Sequence, residues 1–301
     1  MSVMQWWTTD GLPGLHGALR AVLPFQWAQY GFMLNALIEC LLLAPLCAAM
    51  GVQLVNFRLA FFSDAVSHSA FTGVAVGFLL QEWASGWGGS FDPQVTLIGF
   101  GLLVAFGVAM VRRRTNLATD TIVGVFFSAV VALGLAIVTA SGARTSAFQK
   151  YLYGDILTLD AADLVWSAVL TLVVGVAMTW CFTPMTLIGL NPELAHSRGL
   201  RVRFHDYLFS LLLALVVTVT IRTAGILLVT GMLLVPAATA RNIARTAGGM
   251  FRWTILIAWV CSVGGTMVSF STWLENVSTG AVIVLLATLC FAISLFFRRS
   301  A

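Results

Sequence analysis

Charge is what this chain has least of. Asp, Glu, Lys and Arg make up 9% of its 301 residues, against roughly a quarter in soluble domains, which excludes an ordinary water-soluble fold. Lysine is all but absent, with Lys150 standing alone. No Gly-x-x-x-x-Gly-Lys-Ser/Thr phosphate loop occurs, so the chain cannot be its own ATPase by that route. No Cys-x-x-Cys pair occurs either. Cys40, Cys47, Cys181, Cys261 and Cys290 stand singly in apolar stretches and read as small hydrophobes rather than ligands or disulfides. The first 19 residues carry no Lys or Arg, so no cleavable signal peptide is expected. The basic residues fall in short loops instead of one continuous patch, which gives no footing for nucleic acid.

What is present is apolar sequence: 59% hydrophobic residues and a mean hydropathy of +0.95. About 20 apolar residues cross a bilayer core as a helix, and only helices or closed barrels satisfy the backbone there. The expected fold is therefore all-α, a polytopic helical membrane protein. Spans are expected near 30–54, 59–80, 94–111, 120–140, 164–184, 205–221, 224–240, 253–272 and 277–297. Stretch 224–240 is short, holds Gly225 and Gly231 and ends near Pro236, so it reads as a broken or partial crossing and the count is eight or nine. Residues 1–29 form an outer-face amphipathic segment, 30–297 the transmembrane domain and 298–301 an inner tail. Within the first segment, Leu12, Leu15, Leu19, Val22 and Leu23 recur at helical spacing near Trp6, Trp7 and Trp27, as in a helix lying at the interface.

Lys and Arg are retained on the cytoplasmic side of membranes. With Arg112, Arg113 and Arg114 inside, alternation leaves Arg20, Arg144, Lys150 and Arg222 outside and the remaining cations inside, 12 against 4. Nine spans then put the amino terminus outside and the carboxyl terminus inside. Asp10, Glu82, Asp92, Asp155, Asp160, Asp163 and Glu275 fall on the outer face, which favours arriving cations.

The strongest constellation is SDAVSHSAFTG. Asp64 and His68 are four apart, so a helix projects them from the same face, where a carboxylate oxygen and an imidazole nitrogen can meet one ion. A helix starting near Leu59 carries them roughly 7 and 13 Å into the core. Gly73 and Gly77 fall on the opposite side as a small-residue packing face. Spacing alone leaves two readings: a ligand pair, or an Asp64 that caps a later helix beside a His68 bonded to a carbonyl. An aspartate in hydrocarbon costs about 3 kcal/mol on insertion scales, which favours a cavity or partner. Oxygen and nitrogen donors without thiolate suit zinc or manganese. Two ligands are too few for a tight site, and a symmetric dimer would supply four.

LAFFSDAVSHSAFTGVAVGFLL, RRRTNLATDTIVGVFFSAVVALGLAI, YLYGDIL, NPELAHSRGL and TAGILLVTGMLLVPAATARNIA, in this order over residues 30–297, together resemble the ABC-3 family, the permease subunits of zinc and manganese ABC importers. The resemblance implies a homodimeric importer permease in the bacterial cytoplasmic membrane. It implies no resident cofactor: a zinc or manganese ion, possible iron included, is the cargo, and ATP is held by separate cytoplasmic ATPase subunits. An extracytoplasmic binding protein delivers the metal. It assigns Asp64 and His68 to the metal pathway, through the family's Asp-x-x-Ser-His pattern. Two departures stand out: Thr72 occupies a position where members often have proline, and Glu39 is an unexpected acid in the first span.

In NPELAHSRGL, Asn191 suits a helix cap, Pro192 the first helical position, Glu193 the first turn and Gly199 the end, so a short inner-face helix is expected. Physics alone makes it an ordinary interfacial helix. By resemblance Asn191, Pro192, Glu193, Leu194, Ala195, His196, Ser197, Arg198 and Gly199 form the coupling helix, with Glu193, His196 and Arg198 as ATPase contacts. Glu39, one turn below Asn35, reads as an accessory cation ligand or proton carrier, or as a protonated carboxyl bonded between helices; the second is preferred. Asp120 is expected to cap its helix, and Arg222 to mark an outer span end. The alternatives in other classes are an ion-coupled secondary carrier and an intramembrane protease using Ser67 or Ser69. Against the protease, adjacent helical residues point about 100° apart, so His68 is badly placed to activate either serine.

Overall fold

The computed structural model describes residues 12–22, 29–85, 93–141, 156, 159–270 and 277–297. Trp6, Trp7, Trp27, most of YLYGDIL and the tail 298–301 lie outside the described residues. The described residues are helical, as lipid requires of a chain that must satisfy its own backbone. The helices are α1 (Leu12–Val22), α2 (Gly31–Asn56), α3 (Ala60–Ser85), α4 (Pro93–Arg114), α5 (Thr119–Ser141), α6 (Ala161–Leu190), α7 (Pro192–Ser197), α8 (Val202–Ile243), α9 (Ala247–Ser269) and α10 (Thr279–Phe296). Seven of them are long and apolar enough to cross a membrane. The seven omit α3, whose Ser63, Asp64, Ser67, His68 and Ser69 lower its hydropathy.

The buried hydroxyls follow one local rule. Thr218, Thr220, Thr239, Thr254 and Thr266 each donate to the carbonyl four residues back in their own helix, so they need no outside partner in an apolar bundle. Helix ends differ from the expected span ends because the helices continue past the charges that delimit apolar stretches. α9 begins at Ala247, capped by the Thr246 hydroxyl accepting from Gly249 N, and takes Arg252 into its body. α5 begins at Thr119, which places Asp120 in the first turn and not at the cap; its contribution is to the helix dipole.

Spans 205–221 and 224–240 join as α8, which is interrupted at Gly225, with φ 78° and ψ 161°. That backbone conformation is essentially reserved for glycine. Contacts on either side show that the chain doubles back there. Asp206, near the start of α8, meets Arg112 at the end of α4, and Phe209 stacks on Phe57 just past α2. Arg222 meets Gln94 at the opposite end of α4. Arg241 and Asn242 then return to Val55 and Ser294, the latter near the end of α10. The first leg runs back along α4, while the second lies against α2 and α10. A Cβ on Gly51 would run into the Leu233 carbonyl, and one on Gly231 would run into Val284. With its two legs reaching α2, α3, α4, α6, α9 and α10, α8 is the centre of the bundle.

Candidate functional site

α3 begins at Ala60, so Asp64 lies inside the helix and does not cap a later one. About 1.5 Å of rise per residue places it roughly 6 Å, and His68 roughly 12 Å, from the helix start. The face is laid out by the helical period. Phe61, Asp64, His68 and Phe71 form one stripe that is open or half-open, while Ser63, Ala65, Val66, Ser67, Ser69 and Ala70 are buried. Among the described residues neither Asp64 nor His68 has a hydrogen-bond partner; the His68 ring meets the edge of Phe127 in α5 at 5.0 Å. The carbonyl-bonded histidine of the structural reading is not what the bundle contains.

The back of α3 explains why the stripe can stay open. Gly73 lies against Leu97 and Phe100, and Gly77 against Pro93 and Thr96, so α3 packs closely on α4 through its glycines, away from Asp64 and His68. Thr72 leaves α3 unbroken and donates to the Val130 carbonyl in α5 at 2.7 Å. Ser69 donates to Val66 O at 2.6 Å, and buried Ser67 Oγ has no partner. Neither serine bonds His68, which leaves the protease reading without a nucleophile and base pair. Among the described residues no group of three or more His, Cys, Asp or Glu could hold a metal ion.

The short helix after α6 forms as its residues dictate. Asn191 Oδ1 accepts from Glu193 N at 3.1 Å and Leu194 N at 3.0 Å, Pro192 opens α7, and Gly199 leaves it with φ 76°. Ala195 is buried beneath the helix, whereas Glu193, Leu194, His196, Ser197 and Arg198 are exposed. Beside them lies a groove of about 860 Å³ lined by Arg113, Glu193, His196, Arg201, Arg203 and Phe204 among others.

Glu39 is fully buried and separate from α3. Its Oε1 accepts from Ser167 of α6 at 2.7 Å, and Oε2 has no partner. Above it, Asn35 Nδ2 donates to Leu159 O at 3.2 Å, and Asn35 Oδ1 lies 2.9 Å from His16 Nε2. Cys261 and Cys290 meet at 3.8 Å across α9 and α10, a proximity that single-residue spacing does not reveal. Sequence reasoning also passed over Asp206, 4% exposed and paired with Arg112 at 3.1 Å and with Arg113. The clue was present: three successive arginines at one helix end and a lone acid opening another. Arg222 also does more than mark a span end, since it joins Gln94 to Asp163, the latter at 3.5 Å.

Comparison with known proteins now places this arrangement. The high-affinity zinc uptake system membrane protein ZnuB of Haemophilus influenzae is 27% identical over 271 residues, covering 90% of this chain and 99% of that protein. The manganese import system permease protein ScaB of Streptococcus parasanguinis is 30% identical over 268 residues, covering 89% and 91%. Among solved structures, PsaBC from Streptococcus pneumoniae in complex with Fab superposes with a TM-score of 0.74 at 28% identity, over 90% of this chain and 93% of the matched one. The pattern of the ABC 3 transport family matches residues 29–298; the chain belongs to that family.

Proposed function

We propose that this chain is the membrane permease subunit of an ATP-driven importer that carries a divalent transition metal, zinc or manganese, into the cell. The observation that carries the reading is the Asp64–His68 stripe: an oxygen and a nitrogen donor one turn apart, half-open, on a helix whose flanking Ser63, Ala65, Val66, Ser67, Ser69 and Ala70 are buried. Such a pair can replace part of an ion's lost hydration without trapping it, as conduction requires. The family membership and the names of the relatives support the cargo class.

Two copies complete the unit. A second stripe facing the first across a twofold axis gives up to four ligands, and the partly exposed α3 stripe beside exposed Val125, Leu133 and Leu135 of α5 is the surface we assign to that contact. The nine-crossing reading is supported by the seven long apolar helices together with the returning leg of α8 and α3. The amino terminus is then outside and the carboxyl terminus inside the bacterial cytoplasmic membrane. α7 on the inner face receives a separate ABC ATPase through Glu193, His196 and Arg198, and an extracytoplasmic binding protein delivers metal to the acidic outer face.

The test is reconstitution in liposomes with candidate ATPase and binding subunits, with uptake followed metal by metal. Zinc or manganese uptake that requires ATP and both partners is expected. Uptake driven by an ion gradient without the ATPase contradicts the assignment and favours a secondary carrier.

A further inference from the structure

α4 and the first leg of α8 are fastened to each other from end to end. At the inner end Arg112 and Arg113 converge on buried Asp206, at 3.1 Å for Arg112. Next to that pair the ring of Tyr207 lies 5.5 Å from that of Phe106. In the middle Thr218 fills the space that a side chain on Gly101 would need. At the outer end Arg222 donates to Gln94. From Gln94 to Arg113 the ties span roughly 28 Å of helix. Two neighbours of this pair are the elements that the proposed function uses, α7 and α3. α7 feeds into α8 after only a short bend, closed by Leu200 N donating to Ala195 O at 3.1 Å. α4 in turn is the helix on which Gly73 and Gly77 of α3 are seated.

We propose that α4 and the Val202–Thr223 leg of α8 act as one rigid strut that carries displacement of α7 to α3 and its Asp64–His68 pair, with Asp206 as the positioning residue that latches the inner end. The inference rests on the reading of α7 as the ATPase contact. Its physical basis is that coupling needs a continuous chain of packed or bonded elements between two sites. Here the chain is α7, α8, the Asp206 latch, α4 and α3. The latch is held by charge as well as shape: Asp206 is 4% exposed and lies between the guanidinium groups of Arg112 and Arg113, so an amide in its place leaves both arginines without their acidic partner.

The test uses the complete complex in liposomes. Asp206→Asn keeps the shape and removes the charge. ATPase binding and ATP hydrolysis are expected to persist while metal uptake per ATP falls about tenfold, within the usual range of coupling between sites. Asp206→Glu recovers most of it. Wild-type uptake per ATP in Asp206→Asn overturns the proposal, as does loss of ATPase binding, which would make Asp206 part of the docking surface. A second arm does not depend on the charge. In a background without the native cysteines, Phe106→Cys and Tyr207→Cys are bridged by a short bis-maleimide. A strut that moves as one body keeps transporting when locked, and abolition of uptake by the bridge overturns the idea. Failure of the α7 reading is seen separately, as unchanged ATPase binding and transport in Glu193→Arg.

Discussion

The Thr72 hydroxyl donates to the carbonyl oxygen of Val130 at 2.7 Å, one turn beyond His68, and so pins α3 to α5 near the contact between the His68 and Phe127 rings. Thr72→Val removes the donor at nearly constant volume. A net loss of about 0.5–1.5 kcal/mol is expected, read as a lower unfolding temperature of the detergent-solubilised protein. Uptake should weaken without vanishing, because the ligands themselves remain. Unchanged thermal unfolding would show that the bond contributes nothing.

Gly225 is the point at which α8 reverses. Gly225→Ala forces a side chain into φ 78°, ψ 161° and should cost about 1–3 kcal/mol. Gly175→Ala in α6, where an added Cβ meets nothing within 4 Å, is the matched control and should leave stability unchanged or raise it by up to about 1 kcal/mol. Equal unfolding temperatures for the two variants would contradict the turn.

Asn191 holds the first turn of α7 through two backbone donors. Asn191→Ala should destabilise that helix by about 1 kcal/mol, seen as faster amide exchange over residues 192–197 and weaker ATPase binding. Asn191→Asp keeps the acceptor and should restore both. Fast exchange in both variants alike would count against the cap.

Glu39 separates the importer from an ion-coupled carrier. Its Oε1 accepts from Ser167, a role that an amide oxygen also fills, so Glu39→Gln should transport like the parent while Glu39→Leu, which breaks the α2–α6 bond, loses stability. A carrier that moves protons through this carboxyl would lose transport in Glu39→Gln with the fold intact.

How far the sequence was legible follows from which interactions are local. The spans, the α7 cap and the shared face of Asp64 and His68 depend on residues a few positions apart, so helical geometry is enough to find them. Gly73 and Gly77 were likewise placed opposite the ligand face by period alone, and they pack against α4 there. The Asp206 latch, the Arg222 bridge and the Cys261–Cys290 contact join residues far apart in the chain. No periodicity encodes them; they depend on which helices become neighbours. The shared face of Asp64 and His68 is legible as a position, but its partial exposure depends on α4 taking the glycine face and on α5 packing at Phe71, Thr72 and the His68 ring.

The most direct measurement is ATP-dependent zinc and manganese uptake by the reconstituted complex carrying Asp64→Ala or His68→Ala, with dimer and ATPase assembly checked in the same preparations. Uptake should be abolished in each variant while assembly stays intact. Uptake at the parental rate in both variants would contradict a metal path through this pair.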